Sequence, residues 1–242
     1  MNSILITGAT HGVGRAFALA CAASGRYRKI ILNGGSDQAA LDETARLVSE
    51  AGVPAVPVFK FLGDISRLDN VKRMRALFGS VDTLVNNAAV SRVGLLTDMT
   101  PEEWDRVMAV NVTSLYNTCH TYVPDMVSAG GGKILNVSSV WGEAGASCEV
   151  AYSASKGAVN AFTKALAKEL APSHITVNAI ALGIIDTRMN AHLSEDEKAE
   201  IRDRIPAGYI ASPEEAAQAM LRLLEMPEYF NGQIVRLDGC WI

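Results

Sequence analysis

The chain has 242 residues, 49% of them hydrophobic, and a formal charge of −4, enough to bury a sizeable core in one α/β domain or two small ones. No apolar run reaches the ~18 residues of a membrane span, and the acidic balance leaves no basic footprint for nucleic acid. Cys21, Cys119, Cys148 and Cys240 lie far apart with no C-x-x-C pair, which argues against a metal site and suits reduced thiols in a cytosol.

Residues 3–7 form a short apolar run without a basic leader, so a strand is expected rather than a signal peptide. Gly8-Ala-Thr-His-Gly12-Val-Gly14 follows directly, and residues 15–24 have the composition of a helix. Strand, glycine turn and helix are the context of a nucleotide phosphate site. Glycines let the backbone approach a pyrophosphate, and the helix N-terminus supplies free N–H groups and a positive dipole. A tight turn made for packing explains the same glycines, and their spacing differs from the commoner G-x-G-x-x-G. A second strand over 29–32 leads into Asn33-Gly34-Gly35-Ser36. An NAD-preferring site usually carries Asp or Glu here. Two glycines and a serine leave room and donors for a 2′-phosphate, with His11 helping from the first loop, so NADPH is expected. No arginine stands in that turn, and Asp37 begins or caps the next helix.

Alternation continues with a helix over 39–51, a strand over 55–62 with Asp64 at its carboxyl end, and Ser66 as the cap of a helix to about residue 78. A fourth strand covers 82–86, and Asn87-Ala88-Ala89 carries the chain over the sheet top. Pro101 opens a long helix to 127, with Thr100 as N-cap and Glu102 and Glu103 in its first turn. Asn111 falls mid-helix, where an unpaired polar side chain is disfavoured. Small residues at 128–132 end that helix. Residues 133–139 read as a buried strand ending in hydroxyls, and 176–181 as a sixth strand. Residues 183–206 make the one long excursion. In it Ser194 caps a charged helix over 195–204 with little apolar face, which reads as a mobile lid. A last helix covers 213–226 and a seventh strand 233–238. Nothing repeats and no linker intervenes, so 1–242 is one α/β domain, a doubly wound Rossmann fold with a seven-stranded parallel sheet. Its ligands belong over the carboxyl ends of the strands.

The helix that follows Ser139 holds Tyr152-Ser-Ala-Ser-Lys156. Positions four apart stand on one helical face, which puts the Lys156 ammonium beside the Tyr152 phenol. A free tyrosine ionises near pH ~10; an adjacent cation favours the phenolate and lowers that value toward the range of a proton-transfer catalyst. Ser139, at a strand end, is placed to donate to a substrate carbonyl. An ordinary surface Tyr–Lys pair has the same spacing, and the serine and the glycine motif weigh against that reading.

In order and spacing, Thr7-Gly8-x-x-x-Gly12-x-Gly14, Asp64, Asn86-Asn87-Ala88, Asn111, Ser139, Tyr152-x-x-x-Lys156 and Asn178 resemble the short-chain dehydrogenase/reductase family from end to end. The resemblance implies hydride transfer between a nicotinamide and a ketone or alcohol. Tyr152 would be the acid or base, and Ser139 would orient the carbonyl. Lys156 would lower the tyrosine pKa and hold the nicotinamide ribose, and Asn111 would hold a water linking Lys156 to solvent. Gly8, His11, Gly12, Val13, Gly14, Asn33, Ser36, Asp64, Ile65, Asn87, Ala88, Ile185 and Thr187, with Tyr152 and Lys156, would line the cofactor. Ala89 and Leu182 depart from the family's usual Gly and Pro and are expected to tune affinity. A binding subunit without turnover has no use for the intact Asn–Ser–Tyr–Lys set.

Residues 139–152 resemble bacterial reductases acting on 5-aminopentanone-modified elongation factor P, a protein-borne ketone. The general layout and the ending over 232–239 also resemble 3-oxoacyl-carrier-protein reductases. Glu143 and Glu149, with Trp141 nearby, put two carboxylates beside the expected carbonyl, which suits a substrate bearing an ammonium group. Both could instead face solvent or pair within the loop. An acidic carrier protein favours basic residues at the entrance, and residues 128–132 and 172–174 contain no Lys or Arg. Long helices rich in small residues and the apolar ending through Trp241 and Ile242 lead to the expectation of a homotetramer, with Trp241 at or near a subunit contact.

Overall fold

Seven short apolar strands lie side by side in one parallel sheet: β1 (Ser3–Ile6), β2 (Lys29–Gly34), β3 (Val58–Leu62), β4 (Thr83–Asn86), β5 (Gly132–Ser139), β6 (Ile175–Leu182) and β7 (Ile234–Leu237). Their order is β3-β2-β1-β4-β5-β6-β7, so the winding reverses between β1 and β4, where a crevice opens above the strand ends. The structure, a computed structural model, describes residues 2–52, 56–191 and 193–242. The helices are α1 (Gly12–Ala23), α2 (Gln38–Ala51), α3 (Leu68–Phe78), α4 (Pro101–Met108), α5 (Ser114–Ala129), α6 (Trp141–Ala144), α7 (Val150–Leu170), α8 (Glu195–Arg204) and α9 (Pro213–Glu225). No helix among the described residues is long and apolar enough to cross a membrane.

Successive strand residues point to opposite faces, and each face has its own core. Ile4 and Ile6 join Phe17, Leu41 and Met220 under α1, α2 and α9. Leu5 goes the other way, to Val71, Met74, Tyr122 and Met126 under α3 and α5. Both sheet faces being covered explains why the strands read as continuous apolar runs rather than alternating ones.

Several boundaries differ from expectation. The third strand begins at Val58, and residue 55 lies outside the described residues, as does residue 192 within the expected lid. Ser66 is not the cap of α3. Its N–H and Oγ both donate to Asp64 Oδ1, at 3.0 and 2.7 Å, and Arg67 takes the N-cap position. The long helix from Pro101 is broken by a π-turn at Ala109–Thr113, where the Ser114 N–H bonds to the Ala109 carbonyl. α6 has no counterpart among the expected elements. α8 carries the expected Ser194 cap, in a reciprocal box with Glu197, and has no buried residue.

A buried polar chain crosses the molecule. Thr118 Oγ1 on α5 donates to Asn86 Oδ1 at 2.7 Å, Asn86 Nδ2 to Asn136 Oδ1 at 2.9 Å, and Asn136 Nδ2 to Thr163 Oγ1 on α7 at 2.9 Å. Asn136 is 0% exposed, so its partners have no water to turn to. Asn136→Ala should cost about 1–3 kcal/mol per orphaned group, read as a lower midpoint in urea unfolding with an unchanged slope.

Candidate active site

The crevice above β1 and β4 is closed tightly by glycine. Gly8 has φ +64, and a Cβ there would stand 2.7 Å from Ala88 Cα; one on Gly14 would stand 2.2 Å from the Gly8 carbonyl oxygen. Only glycine permits both the left-handed turn and the close approach of α1. His11 occupies the N-cap of α1, but its side chain caps nothing, so the first amides of the helix are left for an anion. Val13 continues this turn and packs on the core beneath it. Asn87 fastens the loop from the β4 side: its Nδ2 donates to the Thr7 and Gly8 carbonyls, each at 3.0 Å. Thr7 Oγ1 accepts from the Asn87 and Ala88 N–H groups at 3.0 and 3.1 Å. Thr187 lies against the far lip, its Cγ2 3.1 Å from where a Gly12 Cβ would be. This narrow, amide-lined cradle fits a dinucleotide.

Other residues expected along the cofactor fall into two groups. Ser36 is exposed on the turn after β2. Asp64 sits at the end of β3, where Arg106 Nη1 donates to its Oδ2 at 2.6 Å. Burial works against ionisation there, but the bonds from Ser66 and Arg106 hold the carboxyl below its usual range. Ile65 is buried, and its carbonyl and that of Ser66 both accept from Asn117 Nδ2. Ile185 is buried and bridged to Ala211. Asn33 is the exception. Its amide is 1% exposed and donates to the Gly34, Phe61 and Gly63 carbonyls. It is spent on closing the β2–β3 edge and offers the crevice nothing.

Asn111, Ser139, Tyr152 and Lys156 converge above β4 and β5. The π-turn accounts for Asn111: its Oδ1 accepts from the Val90 N–H at 2.8 Å, and its Nδ2 donates to the Val90 carbonyl and Ser155 Oγ, each at 2.9 Å. Ser155 Oγ in turn donates to the Tyr152 carbonyl at 2.7 Å. Asn111 therefore pins the first turn of α7 and does not touch Lys156. Ser139, at the last position of β5, accepts from the Trp141 N–H at 3.2 Å, and its side chain is also hydrogen-bonded with Tyr152. Lys156 Nζ donates to the Val137 carbonyl at 2.8 Å and stands 5.5 Å from the Tyr152 ring centroid, within cation–π reach.

The electrostatics reverse one expectation. Tyr152 is pushed up, not down: burial raises its pKa most, the Glu149 carboxylate adds to that, and a hydrogen bond with Ser139 opposes them. Burial also lowers Lys156 to about 8. Burial dominates, and the Lys156 ammonium, bonded to the Val137 carbonyl and standing over the ring, does not offset it.

The two loop carboxylates part company. Arg236 Nε donates to Glu143 Oε2 at 2.9 Å, and its Nη1 to the Ile242 carbonyl at 2.9 Å. Glu143 is thus neutralised within the chain. Trp141 meets Trp241 edge-on, centroids 5.0 Å apart, so half-buried Trp241 packs on its own chain's loop. Among the described residues no cation pairs with Glu149; its Oε1 accepts from Ser91 Oγ at 2.6 Å. Cys148, before it, adopts φ 61. Thr7 stands in the glycine motif, but its bracing of Asn87 and Ala88 is not legible there, and nothing local marks Val90, Asn117 or Ser155 as part of a brace. Arg188 and Arg236 escaped because their partners lie 177 and 93 residues away.

The sequence profile described as short chain dehydrogenase matches residues 2–198. An uncharacterized oxidoreductase of Bacillus subtilis, YmfI, is 38% identical over 99% of this chain and 98% of its own length. The 3-oxoacyl-[acyl-carrier-protein] reductase FabG of Aquifex aeolicus is 36% identical over 97% of this chain and 95% of its own. The solved 3-oxoacyl-[acyl-carrier protein] reductase of Brucella melitensis superposes with a TM-score of 0.91 at 32% identity, covering 100% of this chain and 91% of that one. A gluconate 5-dehydrogenase from Burkholderia cenocepacia, solved with NADP and tartrate, gives 0.89 at 28% identity, covering 99% and 94%.

Because the Glu149 carboxylate contributes to the upward displacement of Tyr152, Glu149→Gln should let the phenol ionise at lower pH. Ultraviolet titration of wild type and E149Q, each differenced against its Tyr152→Phe counterpart, reads that shift. Coincident curves would show that the carboxylate does not reach the phenol.

Proposed function

Because the chain belongs to the short-chain dehydrogenase family and is an NAD(P)H-dependent oxidoreductase, we propose that it reduces a ketone with NADPH, with Tyr152 as proton donor. The observation that carries this reading is the convergence of Ser139, Tyr152 and Lys156 beside a glycine cradle at the strand ends. The nicotinamide supplies the hydride. As negative charge develops on the carbonyl oxygen, the Ser139 hydroxyl donates to it in place of Tyr152, and the Tyr152 phenol gives up its proton. Burial keeps that phenol protonated at neutral pH, the state a donor needs. Lys156, still largely cationic below about pH 8, stabilises the phenolate left behind. Asn111 positions this pair by holding Ser155 and the start of α7. The choice of NADPH rests on the absence of an acidic residue over 33–36 and on His11 and exposed Ser36; a neighbour solved with NADP is in keeping with it.

For the ketone, we propose the 5-aminopentanone group carried by modified elongation factor P. Glu149, unpaired with any cation among the described residues and close enough to act on Tyr152, is the ammonium receptor in this reading; Glu143 drops out because Arg236 neutralises it. The mixed charges of α8 suit a lid that closes over a protein-borne group. A second reading, reduction of a 3-oxoacyl group on carrier protein, is favoured by FabG relatives at 36% identity over nearly the whole chain. Self-association into a tetramer is supported by the exposed Tyr116 and Val127 on α5, where Tyr116 stacks on His120. The four free cysteines are in keeping with a reducing cytosol.

Tyr152→Phe should lower kcat by about 10²–10⁴ while calorimetry finds NADPH binding nearly intact; comparable turnover would end the assignment of the proton donor.

The substrate is tested by NADPH oxidation with an aminoketone-modified protein, a neutral ketone of similar length and a 3-oxoacyl thioester. Glu149→Gln should cost the aminoketone about 10–150-fold in kcat/KM beyond its effect on the neutral ketone, the range of a hydrogen bond to a charged group. Equal losses, or outright preference for the thioester, would hand the site to the carrier-protein reading.

A further inference from the structure

The turn after β2 lacks a cation, yet one reaches this corner from across the crevice. Arg188 follows Thr187, which lies against Gly12, and belongs to the short turn Arg188–Asn190 beyond β6. Its Nη1 lies 2.8 Å from His11 Nε2 and 4.0 Å from Asp37 Oδ2. Asp37 also stands 3.7 Å from His11, while its other oxygen accepts from the Ala40 N–H as the cap of α2. Arg188 therefore spans the distance between the segment beyond β6 and the turns that follow β1 and β2. Arg15, the other guanidinium here, is spent inside the fold: it donates to the Thr10 and Ala40 carbonyls and to Thr44 Oγ1. Arg188 is not; its side chain is 70% exposed, and a guanidinium has five donors in a fork that matches a phosphate.

We propose that Arg188, with His11, is the clasp that selects the 2′-phosphate of NADPH, delivered from the lid side of the crevice because the β2 turn holds no cation of its own. This rests on the reading of the crevice as a nicotinamide-dinucleotide site. Asp37 acts as the resting counter-ion, and the incoming phosphate replaces it as the partner of the guanidinium. The corner is already electropositive: burial first, and then Arg188 and Arg15, hold the His11 pKa below its ordinary value against the opposing charge of Asp37. Since Arg188 lies in the segment leading to α8, the phosphate that selects the cofactor also ties down the root of the lid.

Titration calorimetry of NADP⁺ and NAD⁺ against wild type, Arg188→Ala and Arg188→Glu tests the clasp without turnover. Arg188→Ala should weaken NADP⁺ by about 10-fold or more, as for a lost charged hydrogen bond, and leave NAD⁺ within a factor of ~3. Arg188→Glu should widen the loss for NADP⁺ alone. NAD⁺ binding reports that each variant is folded. Equal weakening of both nucleotides would make Arg188 a pyrophosphate or loop contact, and no change would make it a surface residue; either overturns the clasp while the dinucleotide site stands. If wild type binds neither nucleotide, the site reading fails and the clasp with it.

Discussion

The buried bridge Thr118–Asn86–Asn136–Thr163 is the constraint on which the site depends. Two strands and two helices are joined through side chains that have lost their water, so the arrangement is held by the cost of breaking any one bond. Asn111 lies seven residues before Thr118 and Lys156 seven before Thr163, each roughly two turns along. The bridge thus fixes the helical phase of both arms that carry the reacting groups. Ser139 needs no such help, being the last residue of β5, whose register against β6 is set along its whole length.

Burial governs the chemistry more than pairing does. Tyr152 and Lys156 are neighbours, but the low-polarity pocket moves each toward its neutral form. For the ketone reduction proposed above this is a useful bias, since the proton must be present on the phenol before hydride arrives. The nearby carboxylate of Glu149 strengthens it, and the hydroxyl of Ser139 partly restrains it.

Most of the fold and much of the site can be read in the sequence because they depend on local rules. Apolar runs alternate with helical stretches, glycines stand where α1 approaches Gly8, and Tyr152 and Lys156 share a helical face. The illegible part depends on the strand order. Glu143 looks like a free carboxylate until β7 brings Arg236 to it, and the β2 turn looks uncharged until the chain beyond β6 carries Arg188 back. Asn33 has the right position for a ligand contact but points into the β2–β3 edge. Ser66 is a plausible cap by type, yet it is held in a local turn by its bonds to Asp64 Oδ1, and the helix starts after Arg67. For Glu143 and the β2 turn the deciding partner is far away in sequence.

The π-turn at Ala109–Thr113 bears on how this chain can change over generations. Such a turn is a helix with one residue to spare. Deleting a residue there would restore a regular helix. It would also rotate whatever precedes it by about 100° relative to α5, taking the α4 end out of line with the loop that holds Val90. Point substitutions on the outer face of this stretch are tolerated more readily than a single-codon insertion or deletion, which would turn the α4 face that buries Val107 away from the core and upset the alignment of Asn111. Length, more than identity, is what lineages descended from this chain would have to keep between Thr100 and Thr118.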